Sequence, residues 1–179
     1  MRLKNRLSVL VIASTAILAY SNYANAAGTL SGQIGVEVTI GSGCSVANSG
    51  GNTNTWGTLN FGEYSDLVNT INGSVVGTST TVGLQVTCTD GLSYKLSFDN
   101  GLNLDSGLRR LNSGGNYIPY RLYSDAGYTA EILTGEITRT GTGSLESIPV
   151  YGRILPSDQA TLAPAAGTYI DTVTATLIW

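Results

Sequence analysis

The chain has 179 residues, 9 basic and 12 acidic side chains and no histidine. The missing histidine excludes His-based catalytic triads and most zinc sites, and the acidic balance argues against nucleic acid or anionic membrane as a partner. All 23 glycines fall after residue 26, about twice the usual ~7% share, and with many Thr, Val and Ile they describe an all-β protein.

Residues 1–26 read as a secretory signal peptide. Arg2, Lys4 and Arg6 precede an apolar run from Leu7 to Tyr20, and Ala24-Asn25-Ala26 offers a cleavage site. The run is short of the roughly 20 residues a membrane span needs, so no membrane insertion of the mature chain is expected. Cleavage there leaves 6 basic against 12 acidic groups. From Leu30 every second position is apolar or small: Leu30, Gly32, Ile34, Val36, Val38, Ile40. This is the period of a strand with one buried face, and it has no hairpin partner before it. Cys44 continues the same parity. Cys44 and Cys88 are the only cysteines, and in an exported chain they predict an intramolecular disulfide that stabilises the fold by roughly 4 kcal/mol in the chain-entropy model.

Residues 45–55 form a polar, glycine-rich loop, and Trp56 to Tyr64 a short aromatic segment whose rings belong to the core. Asn72-Gly73 is the strongest local turn signal between Asp66 and Ser79. Val82, Leu84, Val86 and Cys88 alternate along one strand and Tyr94, Leu96 and Phe98 along the next, with Asp90-Gly91 between them, which predicts a hairpin. Asp99 to Asp105 superficially resembles a calcium loop, but it lacks the full ligand set and reads as an Asx- and Gly-rich turn. Leu108 to Leu111 is a short strand in which Arg109-Arg110 predicts a solvated edge. Tyr117 to Tyr123 alternates as well, and Pro119 predicts an edge or a break there. Weaker strands cover 131–138 and 148–155. A connection with two prolines then leads to a closing strand with Tyr169, Val173, Ala175, Leu177 and Trp179 on one parity.

Seven to nine strands, no helix and no repeat predict one β-sandwich domain. The closing strand has no successor to cover its edge, and an apolar edge is a template for another chain. A free strand at one end and an uncovered edge at the other are complementary. The expected donor residues are Leu30, Gly32, Ile34 and Val36. The expected acceptor edge is Tyr169, Val173, Ala175, Leu177 and Trp179. Val38 and Ile40 are expected to stay with their own domain, tethered by Cys44.

The runs G-x-V-x-V-T-I-G-S-G-C, W-G-T-L-N-F-G, V-x-L-x-V-T-C-T-D-G, I-P-Y-R-L-Y-S-D and P-A-A-G-T-Y-I-D-T-V-T-A-T-L-I-W occur in that order. Together they resemble the spore coat protein U family, which includes the pilin subunits of the archaic, Csu-type chaperone–usher pathway. The resemblance implies an incomplete immunoglobulin-like β-sandwich that lacks its last strand and carries one disulfide. It divides the chain into a signal peptide (1–26), a donor segment merging into the first strand (27–40) and a pilin-type domain (41–179). A periplasmic chaperone would lend the missing strand, and an outer-membrane usher would exchange it for the donor segment of a neighbouring pilin subunit. The implied product is a cell-surface pilus or fimbria serving adhesion and biofilm formation. The chain departs from the family pattern after Tyr123, where relatives carry a Trp-Gly pair and Tyr128 is expected to fill that place.

Three other classes compete. A secreted spore-coat-like or matrix protein would use the same domain without a fibre. A carbohydrate-binding module would use Trp56, Tyr117, Tyr123 and Tyr128 as a stacking surface. An enzyme would have to rely on carboxylates such as Glu63/Asp66 or Asp99/Asp105, which lie in turn-like segments. The sequence is read as a non-enzyme with no cofactor and no metal.

Overall fold

The computed structural model describes residues 29–49, 54–78, 81–133 and 135–179, and the expected signal peptide lies outside them. Two units are distinguished, divided between Thr39 and Ile40. In the first, residues 29–39 form no strand, and Ile34 and Val36 are 89% and 92% exposed. Val38 and Ile40 are exposed too; Val38 falls in this first unit, whereas Ile40, as expected, begins the second. Gly41-Ser42-Gly43 offers no apolar side chain to anchor a strand, and strand pairing begins only at Cys44.

The second unit, Ile40–Trp179, is β among the described residues apart from one 3-10 turn, Pro156–Asp158, and its strands pair antiparallel, with one isolated parallel bridge between Val76 and Gly83. Its strands are β1 (Cys44–Val46), β2 (Thr58–Leu59), β3 (Ile71–Val76), β4 (Leu84–Cys88), β5 (Ser93–Phe98), β6 (Arg109–Ser113), β7 (Asn116–Tyr123), β8 (Glu136–Thr140), β9 (Leu145–Ile148), β10 (Tyr151–Ile154) and β11 (Ala175–Ile178). One sheet has the order β2-β3-β10-β7-β6, and facing it are β1-β4-β9 and β11-β5-β8.

The last two sheets are halves of one bent ribbon. β4 pairs with β9 from Leu84↔Ile148 to Thr87↔Leu145, and β5 pairs with β8 from Ser93↔Thr140 to Ser97↔Glu136. At the bend Gly91 N–H donates to Gly141 O, and Gly141 N–H to Leu92 O. The expected β4–β5 hairpin is therefore not formed: Asp90-Gly91 bends a strand rather than reversing it, and each half finds its partners elsewhere. β1 lies against β4 and β11 against β5, both on the ribbon edge opposite β8 and β9. They meet end to end, with Trp179 Nε1 4.0 Å from where a Cβ on Gly43 would stand.

Val86 and Leu96 are completely buried at the core centre, packed with Ile71, Ile118, Tyr120, Leu122, Val150 and Ile154 of the opposite side. Asn72-Gly73 is not a turn but part of β3, with Gly73 opposite Gly152 of β10. The reason is close approach. A Cβ on Gly152 would stand 2.5 Å from Leu59 and 2.8 Å from Phe61, and one on Gly73 would stand 3.0 Å from Leu59. The glycine pair is the seat for those two side chains.

Two more expectations fail for local reasons. β7 is not an edge strand but lies between β6 and β10. Pro119 is tolerated because the β10 ladder covers only Tyr123, Leu122 and Arg121, which leaves no bond for the missing N–H to make. Arg109 is not solvated but 5% exposed. Its guanidinium donates to the carbonyls of Asp99, Ile132 and Leu133, which tie two loops to β6 and satisfy a buried cation with backbone dipoles.

Candidate functional site

The sandwich is unclosed along one flank. β2 and β11 are each the outermost strand of their sheets, and between residues 54–61 and residues 171–175 runs a cleft of about 510 Å³. One wall is Trp56, Leu59 and Phe61, and the other is Val173 and Ala175. The floor is core: Leu84, Phe98, Leu111, Tyr120, Leu122 and Val150. The wall residues pack on the core but stay only partly buried, so the cleft is a strip of apolar interior left open.

Its second wall is built by a strand that changes sheets. Ile170 exchanges both backbone hydrogen bonds with Asn112 of β6, whereas Ala175 to Ile178 pair with Phe98 to Lys95 of β5. The crossing segment, Asp171 to Thr174, is held by side chains. Tyr120 Oη donates to Asp171 Oδ2 at 2.7 Å, and Leu102 N–H to Asp171 Oδ1 at 2.9 Å. Asp99 Oδ1 accepts from Thr174 N–H at 2.8 Å and from Gly101 N–H at 2.9 Å, and Asp99 N–H donates to Thr174 O. Burial disfavours the charged form of Asp99, but the N–H groups of Gly101 and Thr174 outweigh it and hold the carboxyl below its ordinary value. Burial, followed by the Asp171 carboxylate, pushes the Tyr120 phenol well above its ordinary value, so it remains a hydrogen-bond donor.

Cys44 and Cys88 are joined, S–S 2.02 Å, across the paired positions of β1 and β4. Tyr169, Val173, Ala175 and Leu177 occupy the half-buried parity of the closing strand, while Trp179 is exposed beside Gly43. Asp171 shares the inward parity, and the sequence reading passed over it. Its signal was an acid standing in the middle of an apolar alternation. Leu30, Gly32, Ile34 and Val36 are exposed in the first unit.

The proposed sugar platform is not assembled. Trp56 lines the cleft, Tyr117 holds the Arg110 guanidinium 4.1 Å from its ring, and Tyr123 is buried. Tyr128 adopts φ 55°, meets the Tyr123 and Tyr151 rings edge-on and takes the Arg153 guanidinium 3.6 Å from its ring. It thus covers the strand where relatives were expected to place a Trp-Gly pair. Among the described residues no group of His, Cys, Asp and Glu is placed to hold a metal, and no helix is long and apolar enough to cross a membrane.

A model of the Spore Coat Protein U domain matches residues 30–176, which takes in both walls of the cleft, its floor and the exposed alternating segment. The chain belongs to this family. Among solved structures, it is similar to one described as the chaperone–tip adhesion subunit pre-assembly complex CsuC–CsuE of the archaic chaperone–usher Csu pili of Acinetobacter baumannii. The identity is 18%, with 79% of this chain and 40% of that chain covered and a TM-score of 0.54. It is also similar to the P pilus rod subunit PapA, at 14% identity over 75% of this chain and 97% of that one, TM-score 0.46. The family member thus spans well under half the length of the Csu chain it matches, and that likeness establishes the fold. No curated protein sequence matches.

Proposed function

We propose that this Spore Coat Protein U domain is a structural subunit of a surface pilus assembled by donor-strand complementation. The observation that carries the reading is the pairing of two incomplete parts in one chain. The cleft between β2 and β11 lacks a strand, and residues 29–40 are an exposed strand pattern that lacks a sheet. Leu30, Ile34 and Val36 of one copy enter the cleft of the next, with Gly32 where the backbones come closest, and the main chain pairs with the free edge of β11. Burying three such side chains contributes about 5–8 kcal/mol before the cost of ordering the tail. Before assembly a periplasmic chaperone fills the same cleft, and an outer-membrane usher exchanges it. The chain is exported by its leader, and its role is structural, as the Spore Coat Protein U family and the mainly apolar cleft support.

The test is deletion of residues 27–36. Loss of detergent-resistant ladders on unboiled gels, with a synthetic 27–40 peptide still captured by the truncated chain, is the expected result. Ladders that persist without the segment would sink the assignment. Soluble yield that depends on co-expressed chaperone separates the pilus subunit from a matrix protein of the same fold.

A further inference from the structure

We infer that Asp171, Tyr120 and Asp99 are positioning residues of the cleft: they hold residues 171–174 as a formed wall before any strand is bound. The inference rests on reading the cleft as a strand acceptor, and it adds which groups keep it ready.

The argument begins with what the wall lacks. Residues 171–174 leave β6 after Ile170 and join β5 only at Ala175, so the crossing has a ladder neighbour at each end and little between. The outer side of β11 is also unpaired. A strand edge with one neighbour and an apolar inner face frays or collapses onto the floor, closing the cleft it should border. Here side chains supply the missing bonds. Asp171 stands on the inward parity, where an apolar residue would sink into the floor. Its carboxylate is instead held by the phenol of Tyr120, a floor residue, and by the Leu102 amide. Asp99 fixes the far end of the crossing through the Thr174 amide, and its own carbonyl is gripped by Nε and Nη2 of Arg109. Both acids are thereby tied to rigid strands, β7 through Tyr120 and β6 through Arg109. A charge turned inward on an edge strand also deters casual pairing, so the same residues keep the edge both formed and selective.

If the wall is formed only part of the time, the apparent affinity for an incoming strand falls by that fraction. Losing one charge-assisted bond would then slow strand capture roughly tenfold. The experiment uses the full chain purified after export and a fluorescent 27–40 peptide, with capture scored as signal that survives detergent without boiling and normalised to folded protein. Tyr120→Phe keeps the ring in the floor and removes only the hydroxyl. Capture slowed about tenfold, with hydrogen exchange at Leu102 and Thr174 accelerated before peptide addition and restored after it, is the expected result. Asp99→Ala should behave alike, and Asp99→Asn, whose side-chain oxygen still accepts both amides, should recover most of the rate. A merely structural role would lower the melting temperature before and after capture alike and leave the normalised rate unchanged, and that outcome overturns the inference. If the chain lacking residues 27–36, whose own donor segment cannot compete for the cleft, also captures no peptide, the acceptor reading itself is wrong. Capture by the wild type and by Tyr120→Phe at equal rates removes only the positioning role.

Discussion

The middle strands of the bent ribbon and its outermost strand are made of the same residue types in the same alternation, yet they end differently. In the middle, Val86 of β4 and Leu96 of β5 have neighbours on both sides in their sheets and are wholly buried. At the open flank Ala175 and Leu177 also face inward, Leu177 directly beside Leu96, but β11 has a neighbour on one side only and they stay half-buried. The opposite wall behaves alike, with Trp56, Leu59 and Phe61 packed on the core but not covered by it. Incompleteness here is a property of strand count, not of composition: one added strand would give β11 the two neighbours that β4 and β5 already have.

That difference can be broken in several ways. The largest effect should come from the bond anchoring β1 to the middle strand β4. Cys44→Ser removes a cross-link worth about 4 kcal/mol, and accumulation after export should fall sharply, read as folded yield on non-reducing gels. Next, Leu96→Ala empties a fully enclosed site and should cost about 2–5 kcal/mol in urea melts. Leu177→Ala, on the open flank, should cost about 1 kcal/mol in the unassembled chain and more once a strand is bound; equal costs in both states would dissolve the comparison. Gly152→Ala drives a methyl into Leu59 and Phe61 and should cost about 1–3 kcal/mol through overpacking, with peptide capture impaired because one wall shifts.

The smallest effect is acid sensitivity. The Asp99 carboxyl is held below its ordinary value of 3.8. A depressed folded-state value stabilises the fold fully above the unfolded one and ceases to do so as pH falls through the lowered value. Acid should therefore loosen residues 171–174, and Asp99→Asn should flatten that part of a hydrogen-exchange profile against pH.

Much of this was legible in the sequence because alternation reports which face of a strand is inward. Leu84, Val86, Cys88, Tyr94, Leu96 and Phe98 are all in the core, as the alternation required, although Val82, ahead of β4 on the same parity, is exposed; the half-buried parity of Tyr169 to Leu177 follows from the same rule. What failed depended on partners distant in sequence. Asn72-Gly73 has the local chemistry of a turn, but its glycine is fixed by Leu59 and Phe61 arriving from another strand. Asp90-Gly91 turns the chain, yet no local rule says whether a turn reverses a strand or only bends it. Arg109 looked like surface because sequence does not show the three carbonyls that wait for it. The Asp171–Tyr120 contact beside the cleft was missed for the same cause: the two residues lie 51 positions apart, and only the fold makes them neighbours.

The end-to-end meeting of β1 and β11 has a mechanical side. In a fibre of such subunits, a pull through the segment before Gly43 reaches the domain at β1, whose ladder is only Cys44 to Val46. Three residues of ladder would peel under modest force, but the bond to Cys88 passes the load directly into β4. From there it continues along the same covalent strand into β5, beside the edge proposed to take the following subunit's strand. Tension would thus cross each domain along one side of one ribbon and would load the bound strand in shear, while the rest of the sandwich carries little of it.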